Sequence, residues 1–373
     1  MEEILENKEQ QLTSLSKIGE FELIDRLTKK IVLKNSSSQL GVGDDAAVID
    51  TQGRMQVVST DLLVEGIHFD SHYSPLKHLG YKAIAVNLSD IAAMNARPEQ
   101  VLVSIAVSSK YSVEAIEELY AGMYMCCERY GVDLVGGDMT SSVLGLTISV
   151  TALGYAQENK ITKRSGMQDK ELICVTGDLG AAYMGLLVLE REKKVFMENP
   201  TIQPDLSGYD YLLERQLKPE PRLDIVQQLE QMEIIPTAMI DISDGLASEI
   251  IHLCRASDRG CRLFEDKIPI DPKTFATALE FGISPTTAAL NGGEDYELLF
   301  TVQQSDFEKV KKMKDVSVIG FATSSGVGRM LTSKEGVQIK LKAQGFDAYK
   351  PHLAEPENEE NNAQVHDNQN DTE

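Results

Sequence analysis

LGVGDDAAV, residues 40–48, is the stretch around which the chain is organised. A glycine turn there presents two adjacent carboxylates, Asp44 and Asp45, followed by small residues. Like charges side by side repel unless a counter-ion is shared between them. Four more acidic segments follow, read as loops that put an Asp beside Gly, Ser or Thr at the end of an apolar run. They are STD at 59–61, NLSD at 87–90, GGD at 136–138 and DISDG at 241–245. Magnesium takes hard oxygen ligands and is held by one or two carboxylates with water and substrate phosphates. Phosphoryl transfer needs positioning and charge neutralisation more than covalent chemistry. The expectation is that these loops converge on magnesium ions bridging the phosphates of ATP, with a phosphate as acceptor. Taken singly, each motif is also ordinary turn and capping chemistry. In DISDG, Ser243 or Asp244 reads as the N-cap of a helix starting at Leu246, a role compatible with metal binding. Neither a Walker pattern nor a protein-kinase motif set occurs.

The chain has 373 residues, 42% hydrophobic and 25% charged, which suits a soluble globular protein of two domains. Its apolar runs are far too short to span a bilayer, and its acidic, polar start MEEILENKEQQ does not read as a secretory signal. Residues 355–373 carry seven of the acidic side chains and no Lys or Arg; without them the net charge of −22 is still −15. An acidic body repels nucleic-acid backbones, so no nucleic-acid partner is expected. Five cysteines, an odd number without CxxC spacing, read as reduced thiols in the cytoplasm. Few His residues are present and none is spaced as a zinc partner.

Outward from the opening stretch, apolar spacing predicts helices over 18–33, 76–95, 113–130 (ending at Gly131), 181–191, 246–254 and 306–314. Strands are predicted over 55–59 (with Asp61 just beyond), 101–107, 132–135 (running into GGD), 146–155, 171–176, 238–242 and 316–321. A further strand is read from the alternation of Tyr296, Leu298 and Phe300. Strands alternating with helices in both halves give an α/β or α+β class. The expected division is a polar extension at 1–17, an N-terminal domain at 18–157, a C-terminal domain at 158–353 and an acidic tail at 354–373, too polar to fold.

Other candidates carry two readings each. His68 is a ligand or a packed imidazole. Arg164, in TKRSG, is a phosphate clamp or a solvated loop charge. Glu294 follows a Gly pair that implies close backbone approach to a ligand or to another strand. Tyr124 and Tyr130 stack on adenine or belong to a helix core.

GVGDDAAV, STDLLVEGIHF, YKAIAVNLSDIAAMNARP, LVGGDMT, TKRSG, LKPEPR, IDISDGL and NGGEDYELLF occur in this order. Together they resemble the thiamine-monophosphate kinases, within the superfamily of aminoimidazole ribonucleotide synthetase. The resemblance covers roughly residues 18–349. It implies an N-terminal mixed sheet with helices that pairs across a homodimer, and a C-terminal α/β domain completing the active site. It implies ATP-dependent phosphorylation of thiamine monophosphate to thiamine diphosphate, the last step in making that cofactor, by direct in-line transfer without a covalent nucleophile. Position by position, it assigns Asp45, Ser59, Thr60, Asp61, Asp90, Asp138, Asp241 and Asp244 to several magnesium ions. Gly137, Asp138, Arg164, Ser243 and Tyr124 fall to ATP, and His68, Glu294 and Phe346 to the thiamine moiety. Asp44 would support the metals from behind. One departure is Met139, where the family often has Thr after GGD; Thr140 stands next to it. Relatives acting on an amidine ribotide or on selenide carry a Gly-rich or Cys/Lys-bearing N-terminal segment that residues 1–34 lack. A non-catalytic sensor would have lost its acidic ligands, and here they are intact.

Overall fold

The computed structural model describes residue 13, residues 26–40 and residues 48–344. Asp44, Asp45 and Phe346 lie outside these, as do nearly all of the N-terminal extension, the first part of the helix expected over 18–33 and the acidic tail. Strands β1 (Ser38–Leu40) and β2 (Val48–Ile49) pair antiparallel on either side of the sequence positions 41–47.

The first large sheet contains β3 (Met55–Val64), β4 (Arg97–Ser108), β5 (Asp133–Ser142) and β6 (Thr147–Ala156) in the order β3-β6-β4-β5. Only the β4–β5 pair is parallel. Helices α1 (Leu76–Ala93) and α2 (Val113–Tyr130) cover one face, where Leu88, Ile91, Ile116 and Leu119 meet Val101, Val103, Ile148 and Val150. Ser112 caps α2 through the Ala115 N–H, and Gly131 ends it in the left-handed conformation, as its position in the sequence predicts.

The second sheet takes β7 (Leu172–Thr176), β8 (Ala238–Asp241), β9 (Arg259–Phe264), β10 (Leu298–Val302), β11 (Val316–Ser324), β12 (Arg329–Thr332) and β13 (Gln338–Lys340). Their order is β13-β12-β9-β11-β7-β10-β8, with one parallel pair, β12–β9. Around it lie α3 (Ala181–Glu198), α4 (Asp210–Leu217), α5 (Leu223–Gln231), α6 (Leu246–Ser257), α7 (Pro272–Glu280), α8 (Pro285–Asn291) and the short α9 (Phe307–Val310). Both faces are covered. Ile173 and Val175 pack with Ile250 and Leu253 on one side, and Cys174 and Phe300 with Ile225 and Leu229 on the other. A strand buried on both faces reads as an apolar run rather than an alternation, which is why LLFTV of β10 is buried throughout.

Several boundaries differ from the sequence reading. Asp61 lies inside β3 rather than beyond its end, and GGD lies inside β5. NLSD is part of helix α1, in line with the helix expected over 76–95 and not with its reading as a loop. Tyr296 precedes its strand in a left-handed conformation. The helix expected over 306–314 is one turn flanked by tighter turns. For STD and GGD the short polar residues were read as punctuation, while tertiary burial carried the strand through them.

Helix α1 is buried nearly all round, because it is clamped between the first sheet, α2 and the β8 edge of the second sheet. Its crossing with α2 is close enough that a Cβ on Gly122 would overlap the Lys77 carbonyl, and one on Gly80 would overlap that of Leu119. Gly122→Ala gains about 1 kcal/mol of helix propensity, but forcing the helices apart costs about 1–3 kcal/mol. We expect a net loss of about 2 kcal/mol in denaturant titration, since the overlap is with backbone rather than a movable side chain. An unchanged or raised midpoint would contradict the close crossing.

Candidate active site

Three elements bring carboxylates to one place. On β3 the odd residues face α1, so Ser59 and Asp61 point inward. Ser59 donates to Asp90 on α1, and the Asp61 N–H donates to Asn87 Oδ1 at 3.0 Å. Asn87 is held in turn by the Ala83 carbonyl at 3.0 Å. From the second sheet comes Asp241, at the end of β8, whose Oδ2 accepts from Ser89 on α1 at 2.7 Å. Helix α1 therefore presents Asn87, Ser89 and Asp90 to carboxylates of both sheets.

Burial raises all three carboxyls, Asp61 to about 6 and Asp241 to about 7. After burial, the Asp90 charge raises Asp61, and the Asp90 and Asp61 charges raise Asp241. Among the described residues, Arg164 is the one cation acting on Asp90. Among the described residues, no three His, Cys, Asp or Glu side chains close on a point that would hold a metal by themselves. What the chain builds is a buried nest of carboxylate oxygens short of positive charge.

A second group adjoins it. The loop at 292–297 is zipped to the DISDG segment by three backbone bonds: Ile242 N–H to Glu297 O at 2.8 Å, Tyr296 N–H to Ile242 O at 2.9 Å and Glu294 N–H to Ser243 O at 2.7 Å. Gly293, Glu294 and Tyr296 all take positive φ, at 73°, 58° and 52°. Strained non-glycine residues of this kind cost on the order of 1–3 kcal/mol each and gather at functional sites. Glu294 accepts from Lys82 at 2.8 Å and from Gln216 Nε2 at 2.7 Å. Its charge reaches His68, whose Nδ1 accepts from the Val64 N–H at 3.1 Å and whose pKa burial lowers. It also reaches Asp244, which burial raises.

Neither Ser243 nor Asp244 caps α6: Gly245 occupies the N-cap with φ 107°, and Glu249 reaches back to accept from the Asp244 N–H at 3.1 Å. Both DISDG side chains are thereby spared from capping. A would-be Cβ at Gly245 would strike the Leu290 carbonyl, which explains the glycine.

Tyr296 went unrecognised in the sequence, where it reads as strand core. Its phenol feels Glu294, Asp61, Asp241 and Asp90 together and is raised well above its usual range, first by burial. It thus stays neutral. Lys82, Asn87, Ser89 and Gln216 were also missed. The signal for the α1 members was their clustering in an otherwise apolar helix.

Several assignments part from this picture. Thr60 alternates to the opposite face of β3, where its hydroxyl donates to the Val150 carbonyl at 3.0 Å, so only its backbone remains available to an ion. Tyr124 bonds the Leu27 carbonyl and lies edge-on to Tyr120 at 6.1 Å, packed against the first core rather than at the site. Tyr130 likewise bonds Glu220. Asp138 follows a bulge at Val135, where Val101 opposes Leu134 but Leu102 opposes Gly136. It then stands opposite Ser104, on the face of the sheet away from α1, with Thr140 beside it in period and Met139 turned to the core. Strands β5 and β3 are opposite edges, three strand spacings or about 14 Å apart. Within one chain, Asp138 and its neighbour Gly137 do not join the Asp61 group.

The sequence profile of the AIR synthase related protein N-terminal domain matches residues 43–156. The thiamine-monophosphate kinase of Bacillus subtilis (strain 168) is 33% identical over 342 residues, spanning 89% of this chain and 100% of that one. The chain belongs to the thiamine-monophosphate kinase family. The solved structure of AaThiL complexed with AMPPCP and TMP superposes with a TM-score of 0.68 at 29% identity, covering 90% of this chain and 99% of that one. The thiamine-monophosphate kinase from Stenotrophomonas maltophilia K279a gives 0.72 at 29% identity, covering 87% and 98%. These matches bear out the two-sheet α/β architecture of the aminoimidazole ribonucleotide synthetase type.

The raised carboxyls fix a sign for stability against pH in metal-free protein. Asp is near 3.9 in an unfolded chain. A folded value above that means the fold binds protons more tightly, so this contribution is intact below about pH 4 and is lost as pH rises through about 6 and 7. Denaturant titrations in EDTA should show wild type losing stability across that window and Asp241→Asn losing less. A variant curve as steep as wild type would contradict the assignment.

Proposed function

We propose that the chain transfers the γ-phosphate of ATP to the phosphate of thiamine monophosphate, giving thiamine diphosphate and ADP. The observation that carries this reading is the convergence of Asp61, Asp90 and Asp241 from two sheets around one helix, with Arg164 the one opposing cation acting on Asp90 among the described residues. Family membership and the nucleotide analogue and TMP in AaThiL support the substrate pair.

The donor set fits magnesium: hard carboxylate oxygens, buried, mutually repelling and charge-deficient. Asp61, Asp90 and Asp241, with Asp244 and Asp45 alongside, would hold such ions, which supply charge neutralisation between donor and acceptor phosphates when bound. Ser59 and Ser89 hold Asp90 and Asp241 in place. Arg164 and Ser243 border this nest and suit the ATP phosphates. Glu294, fixed by Lys82 and Gln216 and facing His68, offers an anionic wall suited to the cationic thiamine ring system, with Phe346 assigned there by the family pattern. The acceptor phosphate is already anionic near neutral pH, so direct in-line attack needs no strong base and no protein nucleophile.

We also read the protein as a homodimer with divisions at 18–157 and 158–353, the break falling between β6 and β7. The face of the first sheet away from α1 exposes Val58 and Leu62 at 59% and 53%, with Leu102 and Leu153 half-buried beside them. A second copy covering this face would put Asp138 at the interface, away from its own chain's Asp61 group, and we read it as completing the partner's site. Five buried, unpaired cysteines suit the cytoplasm, and no described helix is long and apolar enough to cross a membrane.

Phosphorus NMR with ATP, magnesium and thiamine monophosphate should show a new diphosphate ester. Asp61→Asn and Asp138→Asn should each lose about a hundredfold or more in kcat, from lost charge stabilisation. Mixed and allowed to exchange, the two inactive variants should recover up to about a quarter of wild-type activity, because half the dimers are mixed and each has one intact site. Folded variants of unchanged activity would defeat the metal assignment. A mixture that stays inactive while exchanging subunits would defeat the shared site.

A further inference from the structure

The second sheet carries a cavity of about 360 Å³ remote from the acidic nest. Arg255, Arg259, Arg329 and Lys340 line it, with Asp258 as the one acidic member. Four cations in one concavity are out of keeping with a chain of net charge −22. Their arginines also differ from most of the others, although Arg164 and Arg262 likewise form no carboxylate pair among the described residues. Among the described residues, Arg26, Arg54, Arg97, Arg129, Arg191, Arg215 and Arg222 each pair with a carboxylate. No such pair involves Arg255, Arg259, Arg329 or Lys340. Arg259 bonds only neutral oxygens, the Asp258 carbonyl at 2.9 Å and Gln168 Oε1 at 3.0 Å, and its buried Nε has no partner.

Holding like charges together costs free energy unless something anionic offsets it. The single carboxylate of Asp258 and the α6 carbonyl end, near which Arg255 lies, offset only part. Guanidinium forks match the paired oxygens of phosphate better than any other common group. The cavity is concave and of the size that accepts small ligands rather than a flat partner.

We infer that this cavity is a second anion site, taking the phosphate or diphosphate group of a small molecule. It is distinct from the active site. Helix α6 begins beside Asp244 and ends at the cavity, a span of about 18 Å for its twelve residues. The identical chemistry could come from inorganic phosphates or from a phosphorylated metabolite. Concave guanidinium recognition favours these over the acidic tail of the chain, although the tail follows Lys340 in sequence.

The test is calorimetric titration of the full-length protein with sodium pyrophosphate in EDTA, at about 0.1 M ionic strength, where screening leaves short-range pairs intact. EDTA removes metal-dependent phosphate binding at the acidic nest. We expect one equivalent bound at sub-millimolar affinity, retained in Asp241→Asn and weakened about tenfold or more in Arg255→Gln/Arg329→Gln. Arg329→Lys, which keeps the charge, should lose less and serves as the folded control. AMP binding at the same residues, tighter than pyrophosphate, would assign the site to a phosphorylated metabolite; the reverse order would assign it to inorganic phosphates. No saturable binding overturns the inference, as does equal affinity in the double variant. Binding that appears only when the seven tail acids are replaced by Asn and Gln would give the cavity to the tail and also overturn it.

Discussion

Mutual repulsion among Asp61, Asp90 and Asp241 is the constraint from which the architecture follows. Carboxylates that oppose one another must be pinned by packing, because they do not assemble on their own. The pin is helix α1, buried on almost every side, with Asn87, Ser89 and Asp90 on the flank that meets both sheets. Glycines at its crossing with α2 bring the helix axes close. On the proposed reading, the energy spent on holding unpaired charge would be returned when a cation and its phosphates bind.

The second support is a buried ion network under the loop at 292–297. Glu297 accepts from Arg215 at 2.8 Å and pairs with Arg222, while Asp295 takes the Gly180 N–H at 2.8 Å. The LKPEPR segment that supplies Arg222 also supplies Glu220, which bonds Tyr81 on α1, Tyr130 on α2 and Arg129. One short segment thus ties the strained Glu294 loop to the first sheet's helices. Positive φ at Glu294 and Tyr296 persists because both sides of the loop are held.

The acidic motifs, the class and most elements were legible in the sequence, because apolar periodicity and Asp-Gly chemistry are local signals. What could not be read was direction. Ser59, Thr60 and Asp61 are consecutive, yet strand alternation sends Thr60 to the other face. A one-residue bulge at Val135 decides where Asp138 points, and no composition reveals it. Tyr124 looked like an aromatic platform but is consumed by Tyr120 one turn away and by the distant Leu27 carbonyl. Tyr296 looked like a strand residue, since its left-handed backbone depends on contacts with Ile242, just past the end of β8.

The most direct measurement is manganese binding followed by electron paramagnetic resonance, with Mn²⁺ standing in for magnesium and ATP present. If the carboxylate nest is the metal centre, wild type should bind manganese ions that are lost stepwise in Asp90→Asn and Asp241→Asn, while both variants keep their helical circular dichroism. Manganese bound equally by wild type and both variants would contradict the account, since the ions would then be held by nucleotide alone and the buried repulsion would have no counter-charge.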